Sequence, residues 1–291
     1  MHELDRKHLF APAGGRPRVI AMGSNWIQGK VVAITGGASG IGAALAWKFG
    51  GAGARIALID LDEAEVRNRE KELLEAGVIA FAQKGDIASE SEATAAITGV
   101  IRHFGGIDIL INNAGISHRG AFREAELSTI RKVMEVNFFG SLRCTKAALE
   151  SILRRRGMII VVSSIAGLTP VLGRTAYCAS KHALHGLFET LRGELCDQGV
   201  HVMMVCPGFT RTNLQSKALD GKGQVASHSR TLVGREASPA EVADSIFKGA
   251  GARKRLLILS PAGKLSYLLF RFAPAFYERL MMKRLAKEIQ R

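Results

Sequence analysis

The 291-residue chain lacks any run approaching the roughly 18–20 uninterrupted apolar residues that a membrane span requires. It also lacks the apolar core of a signal peptide: residues 1–29 are polar and interrupted by Pro12, Gly14, Gly15 and Pro17. Cysteine is scarce. Cys144, Cys178, Cys196 and Cys206 form no Cys-x-x-Cys pair and no metal-like spacing with histidine, which excludes a disulfide scaffold and a zinc module. Internal repeats and a dividing linker are both missing, so tandem and two-domain architectures fall away. What is left is 47% hydrophobic and 23% charged, which suits a single globular domain. Its reduced thiols place it in the cytoplasm, either free or peripheral at the inner face of a membrane.

The formal charge of +14 is unevenly placed. From Arg253 onward ten Lys or Arg face two Glu, and residues 1–28 add four basic against two acidic side chains, so residues 29–252 carry only +4. A nearly balanced fold with a basic tail argues against a nucleic-acid-binding domain. Leu265–Phe272 is largely apolar, and Pro274 interrupts it. A helix expected over Tyr277–Arg291 then alternates Leu280, Met281, Leu285 and Ile289 with Arg279, Lys283, Arg284 and Lys287. That pattern suits the surface of an anionic membrane. It equally suits docking on the protein itself or across an oligomer, where it would lengthen a pocket. The expected organisation is a flexible leader over 1–28, a folded domain over 29–262 and a basic amphipathic helical tail over 263–291.

Between leader and tail, short β-rich runs alternate with helix-length amphipathic stretches. Strands are expected at Val31–Thr35, Arg55–Asp60, Val78–Gln83, Ile107–Ile111, Met158–Val162, Val200–Val205 and Arg255–Leu259. Helices are expected at Ile41–Gly50, Asp62–Ala76, Glu90–Phe104, Ala176–Gln198 and Pro239–Gly249, with one or two more across Leu127–Leu153. Continuously apolar strands separated by helices imply the α/β class, a doubly wound and mostly parallel sheet covered on both faces. A ligand crevice then lies at the carboxyl ends of the strands.

The first strand runs into Thr35-Gly36-Gly37-Ala38-Ser39-Gly40-Ile41-Gly42, and a helix follows. Gly36 suits a tight turn, Gly40 a close approach of backbone to a pyrophosphate, and Gly42 close helix–strand packing. Ser39 and Ile41 complete the loop, and the helix N-terminus faces the negative charge. Asp60 ends the second strand, where a carboxylate binds the adenosine ribose hydroxyls and repels a 2′-phosphate. No Lys or Arg lies within Gly36–Gly42 or directly after Asp60, so NAD(H) is the expected cofactor and NADP(H) is disfavoured. Tyr177 and Lys181, four apart on an expected helix, share a face. An adjacent ammonium favours phenolate and lowers the phenol's ordinary pKa of about 10, which lets it exchange a proton with an alcohol.

Taken together, these residues resemble the short-chain dehydrogenase/reductase family over about residues 28–260. The resemblance is carried by the Gly-x-x-x-Gly-x-Gly loop after Thr35, by Asn112-Asn113-Ala114-Gly115, by Ser164 thirteen residues before Tyr177, and by Tyr177-Cys178-Ala179-Ser180-Lys181. It implies an enzyme that interconverts a secondary alcohol and a ketone by hydride transfer with NAD(H). By the same resemblance Ser164 orients the carbonyl, Tyr177 is the acid/base, and Lys181 tunes Tyr177 and contacts the nicotinamide ribose. Asn137 would hold a water linking Lys181 to solvent; spacing alone fits a capping or buried helix amide equally well. Asp86 and Ile87 are matched to the adenine, and Asn113, Ala114 and Gly115 to the ribose beside the strand ends. Pro207 and Gly208 are matched to the family's turn beside the cofactor, and Thr212 to the Thr that binds the nicotinamide carboxamide, with Thr210 standing at a backbone-contact position where the family has Ile or Val.

A non-catalytic dinucleotide-binding regulator on the same fold is the alternative, and the complete Ser164, Tyr177 and Lys181 set weighs against it. Substrate choice is expected from a polar lid over Asn213–Arg235. Ile165, Leu168, Val171, Leu172 and Phe209 offer an apolar wall for a lipophilic substrate. The family's habit of assembling through its long helices implies a homodimer or homotetramer built from Met134–Leu153 and Ala176–Gln198.

Overall fold

The structure, a computed structural model, describes residues 26–226 and 235–286. Seven apolar runs pair in parallel as β1 (Val31–Thr35), β2 (Arg55–Asp60), β3 (Ala80–Lys84), β4 (Ile109–Asn112), β5 (Met158–Val162), β6 (His201–Cys206) and β7 (Leu256–Ile258). Their order across the sheet is β3-β2-β1-β4-β5-β6-β7. Every residue of β1, β4, β5 and β6 is buried, as a sheet covered on both faces demands. Order reverses at β1, so the carboxyl ends of β1 and β4 open the crevice.

The helices are α1 (Gly40–Gly50), α2 (Glu63–Glu75), α3 (Glu90–Phe104), α4 (Leu127–Met134), α5 (Gly140–Arg154) and α6 (Thr175–Leu195). They continue with the short α7 (Asn213–Ser216), then α8 (Pro239–Gly251), α9 (Pro261–Phe272) and α10 (Pro274–Leu285). Successive strand residues point to opposite faces. Val32 and Ile34 therefore join Leu45, Phe49 and Ile246 in the layer under α1 and α8, whereas Val31 and Ala33 join Ile97, Ile152 and Phe188 under α3, α5 and α6. Side-chain caps start several of these helices. The Asp62 carboxylate accepts from the Glu65 amide at 3.0 Å, and Ser238 forms a reciprocal box with Glu241. Each such cap stabilises its helix by ~1 kcal/mol.

Several expected boundaries move. The segment Leu127–Leu153 is two helices joined by a π-helical turn at Glu135–Phe139. Gly140 packs so closely on Ile87 that a Cβ there would lie 2.6 Å from it, and Ser141 Oγ satisfies the Asn137 carbonyl at 2.9 Å. The leader is shorter than 1–28 at its inner end: Ile27 is fully buried, and Trp26 packs on Phe49 and Phe247 with ring centroids 6.2 and 5.4 Å away. Residues 1–25 lie outside the described residues.

The tail starts as helix at Pro261, before the expected boundary at 263, and the helix expected from Tyr277 begins at Pro274; its last residues, 287–291, lie outside the described residues. The expected lid is in part tied down. Leu219 is buried and exchanges backbone hydrogen bonds with Ser117 and Arg119 at 2.8 and 2.7 Å, while residues 227–234 lie outside the described residues.

Candidate active site

The ends of β1 and β4 are stitched together by one hydroxyl and one amide. Thr35 Oγ1 accepts from the backbone N–H groups of Asn113 and Ala114 at 3.0 and 3.1 Å, and Asn113 Nδ2 donates to the carbonyls of Thr35 and Gly36 at 3.0 and 3.1 Å. The glycine loop is held against that seam. Gly36 has φ +64°, and a Cβ there would sit 2.9 Å from Ala114 Cα; a Cβ at Gly42 would overlap the Gly36 carbonyl oxygen. Both positions thus require glycine, because a side chain at either would collide with Ala114 or with the loop's own backbone.

A cleft of about 1120 Å³ runs along these strand ends. Gly36, Ser39, Gly40 and Ile41 line its floor, with Asp60, Asp86 and Ile87 at one end. Asn113, Ala114 and Gly115 lie mid-way, and Pro207, Gly208, Thr210 and Thr212 stand opposite. Thr212 packs against the glycine loop, since a Cβ at Gly40 would lie 3.3 Å from Thr212 Cγ2. Gly42 supports the loop from beneath and is not among the cleft's lining residues.

The Asp60 carboxylate accepts from the Ala38 amide at 3.0 Å and from the Asp62 amide at 3.3 Å, which fixes it at the lip of the loop. One cation near this end was not legible in the local sequence. Arg69, from α2, donates to the Ala38 carbonyl at 3.2 Å and is ion-paired with Glu72.

At the other end of the cleft, Ser164 leaves β5 while Tyr177 and Lys181 occupy successive turns of α6. All three line the cleft, with Tyr177 and Lys181 almost wholly buried. Ser164 Oγ accepts from the Ala166 amide at 3.1 Å, which orients its hydroxyl. Burial pushes the Tyr177 phenol up to about 12, against the opposing pulls of a hydrogen bond with Ser164 and of the Arg174 charge. The ammonium of Lys181 does not supply the expected tuning here. It lies 5.7 Å from the Tyr177 ring centroid and donates to the Val162 carbonyl at 2.9 Å, and burial pulls its own pKa down to about 8. The charge assisting the phenol is that of Arg174, a buried cleft residue one turn ahead of Tyr177 that sequence spacing did not single out.

Asn137 is buried behind Gly115. Its Oδ1 accepts from the Ile116 amide at 2.8 Å, and its Nδ2 donates to the Ile116 carbonyl at 3.0 Å and to Ser180 Oγ at 2.9 Å. Ser180 in turn donates to the Tyr177 carbonyl at 2.8 Å, so Asn137 braces the loop after β4 against the turn that carries Tyr177. Its side chain is fully engaged within the protein.

With this geometry in view, comparison with known proteins is decisive. A family model described as short chain dehydrogenase matches residues 30–223. The chain belongs to the short-chain dehydrogenase/reductase family. It is 35% identical over 277 residues to dehydrogenase/reductase SDR family member 7B of Rattus norvegicus, covering 90% of this chain and 83% of that one. The protein of the same name from Xenopus tropicalis is 37% identical over 273 residues, covering 90% and 88%. A short chain dehydrogenase/reductase from Burkholderia phymatum, solved in complex with NAD, has the same fold: TM-score 0.77 at 24% identity, covering 86% of this chain and 95% of that one.

In this short-chain dehydrogenase/reductase the substrate end of the cleft is roofed by the tail. Ser266 of α9 and Tyr277, Leu280, Met281 and Leu285 of α10 line it together with Val171, Leu172, Phe209 and Leu214. Leu168, expected on the apolar wall, is not among the lining residues; it closes the short 3₁₀ turn after Ser164, and Ile165 and Ala166 face the cleft from that turn. Gly263 makes the roof possible, because a Cβ there would come within 2.6 Å of Ile165.

Behind Lys181 a chain of groups that sequence spacing also missed runs from buried Cys206 and His185 out to exposed Glu189. His185 Nδ1 contacts Glu189 at 2.8 Å and its Nε2 contacts Cys206 Sγ at 3.5 Å. Burial lowers the His185 pKa and raises that of Cys206 to about 12, so both are neutral near pH 7. Among the described residues no group of His, Cys, Asp and Glu could hold a metal ion.

Proposed function

We propose that this enzyme is an NAD(H)-dependent oxidoreductase interconverting a secondary alcohol and a ketone on a lipophilic substrate. The observation that carries the reading is the convergence of Ser164, Tyr177 and Lys181 on one wall of a cleft whose far end is the glycine loop. The loop fits a dinucleotide: Gly36, Ser39, Gly40 and Ile41 line the cleft where α1 begins, so the N-terminus of that helix faces a pyrophosphate. Asp60 is positioned for ribose hydroxyls and against a 2′-phosphate, which favours NAD(H) over NADP(H). The similar structure from Burkholderia phymatum was solved with NAD, which supports a nicotinamide dinucleotide cofactor in this cleft.

When bound, the nicotinamide donates or accepts the hydride. The protein's own groups handle the oxygen and its proton. In reduction, Ser164 donates a hydrogen bond to the carbonyl oxygen as negative charge develops there, and the protonated Tyr177 phenol delivers the proton. In oxidation, Tyr177 first releases its own proton to solvent, which Ser164 and the Arg174 charge assist, and the phenolate then takes the alcohol's hydroxyl proton as the hydride leaves the carbon. Lys181 holds the floor beside the phenol, and Asn137 with Ser180 keeps that turn of α6 in place. Asp86, Ile87, Asn113, Ala114, Gly115, Pro207, Gly208, Thr210 and Thr212 bind and orient the cofactor along the cleft.

The apolar roof and wall favour a lipophilic substrate. A cytoplasmic setting and assembly as a homodimer or homotetramer through α4, α5 and α6 belong to the same reading. Its test is a panel of lipophilic and small secondary alcohols and ketones, followed with NAD(H) and NADP(H) by absorbance of the reduced nicotinamide. Turnover with NAD(H) is expected; dinucleotide binding with no turnover of any carbonyl or alcohol would make the chain a binding protein instead.

A further inference from the structure

The inner faces of α9 and α10 are accounted for by the cleft; the outer faces are not. Of the thirteen large apolar side chains exposed among the described residues, five sit on this helical pair: Leu265, Leu268, Phe272, Phe276 and Met282. Phe272 is 81% exposed, Leu265 58% and Phe276 57%. Scattered single exposures are ordinary on any protein, but these are not scattered. At about 100° per residue, Leu265, Leu268 and Phe272 fall on one stripe of α9, with exposed Lys264 and Arg271 along its edge. On α10 the outer side carries Phe276 with Arg279 and Lys283. The outer side of the pair thus carries four cations, Lys264, Arg271, Arg279 and Lys283; Arg284 lines the cleft, and Glu278 is the one carboxylate in the described part of the pair.

From this arrangement we infer that the outer face of α9–α10 docks on the surface of an anionic lipid bilayer. Apolar side chains ringed by long basic ones match a layer whose headgroups are negative and whose interior is hydrocarbon, since the cations reach the headgroups while the rings and branched chains enter the acyl boundary. A second copy of the chain is the poorer occupant, because self-association would press two strongly positive faces together. A nucleic acid would satisfy the cations and leave Leu268 and Phe272 in water. No helix among the described residues is long and apolar enough to cross a membrane, so the contact is one of lying on the surface. The same two helices roof the cleft, and docking therefore brings that roof to the lipid–water boundary.

The test is co-sedimentation of the full chain with vesicles of phosphatidylcholine alone or mixed with phosphatidylglycerol, at low and high salt, alongside size-exclusion chromatography with light scattering. Two double variants outside the cleft accompany it, Leu268→Glu with Phe272→Glu and Arg271→Glu with Lys283→Glu, each checked for an unchanged melting temperature. The expected result is binding of the native chain to the anionic vesicles, weakened by salt, with each double variant losing roughly tenfold or more in partitioning. Equal partitioning of native chain and both variants, or none by the native chain, would overturn the inference. So would a drop in solution mass in the first double variant, because that would mean another copy of the chain covers the face. These readouts do not depend on turnover, so they stand or fall apart from the redox reading.

Discussion

Tyr277 donates its phenolic hydrogen to the Pro170 carbonyl at 2.9 Å, tying the roof of the cleft to the loop after β5 across 107 residues of sequence. That loop leads directly into Val171 and Leu172 on the apolar wall, so one bond aligns roof and wall. Tyr277→Phe should cost about 0.5–1.5 kcal/mol of stability, the net worth of one such bond. Its larger effect should fall on KM for bulky substrates, with kcat for small ones nearly unchanged. Steady-state kinetics on a chain-length series checks this; a uniform fall in kcat would assign Tyr277 a different role.

Tyr177→Phe removes the hydroxyl proposed as the acid/base beside Ser164. Turnover should fall by roughly 10²–10⁴-fold, the usual worth of a positioned proton donor. Dinucleotide affinity, measured by fluorescence titration, should stay within about twofold, because no hydroxyl of the glycine loop is touched. Full retention of activity would remove Tyr177 from the chemistry.

Asp60→Ala removes the carboxylate proposed to stand against a 2′-phosphate. The ratio of kcat/KM for NADP to that for NAD should rise by roughly tenfold or more, the effect of about 1.4 kcal/mol. Part of that change will come from weaker NAD binding, as the Ala38 and Asp62 amides lose their acceptor. A native enzyme that already prefers NADP would point to Arg69 beside the Ala38 carbonyl as the discriminating group.

Lys181 makes the stability of the cofactor-free protein depend on pH in a defined direction. Burial lowers its pKa from 10.5 to about 8. Between those values the unfolded chain holds the proton that the folded chain has released, so stability rises with pH across this window. Below about pH 8 both states are protonated and the buried charge costs its full penalty. Tyr177, raised to about 12, acts oppositely from its ordinary value of 10 upward. Thermal unfolding from pH 7 to 10 should show the native protein gaining on Lys181→Met. A flat difference would mean that Lys181 stays protonated throughout.

The sheet and the cofactor loop were legible in the sequence because each rests on local rules. Continuous apolar strands, glycines where a Cβ has no room, and an acid at a strand end all leave a signature within a few residues. The long-range partners left none. Arg174 and Ser180 lie within a turn of Tyr177 and Lys181, yet their roles depend on the direction in which α6 faces the loop after β4. The pairing of His185 with Cys206 crosses from helix to strand. The tail was ambiguous for a physical reason: its inner row of Tyr277, Leu280, Met281 and Leu285 and its outer row of Leu265, Leu268 and Phe272 are both apolar, and only the fold separates them. Trp26 and Ile27 were hidden by the polar composition of the leader before them.

The π-helical turn at Glu135–Phe139 holds one residue more than a regular helix would need there. That surplus sets the rotational phase of everything after it. Cys144, Ala148 and Ile152, spaced by four along α5, point into the core only because the preceding turn is underwound and carries one extra position. Deleting Phe138 would leave a helix with every backbone bond intact, yet would swing that row by about 100° out of the core. Far-UV dichroism would then report normal helix content in a protein whose melting transition is broad or lost. Chain length at this one point therefore acts as a gear tooth: residues of the segment other than Asn137 can drift, but its residue count cannot.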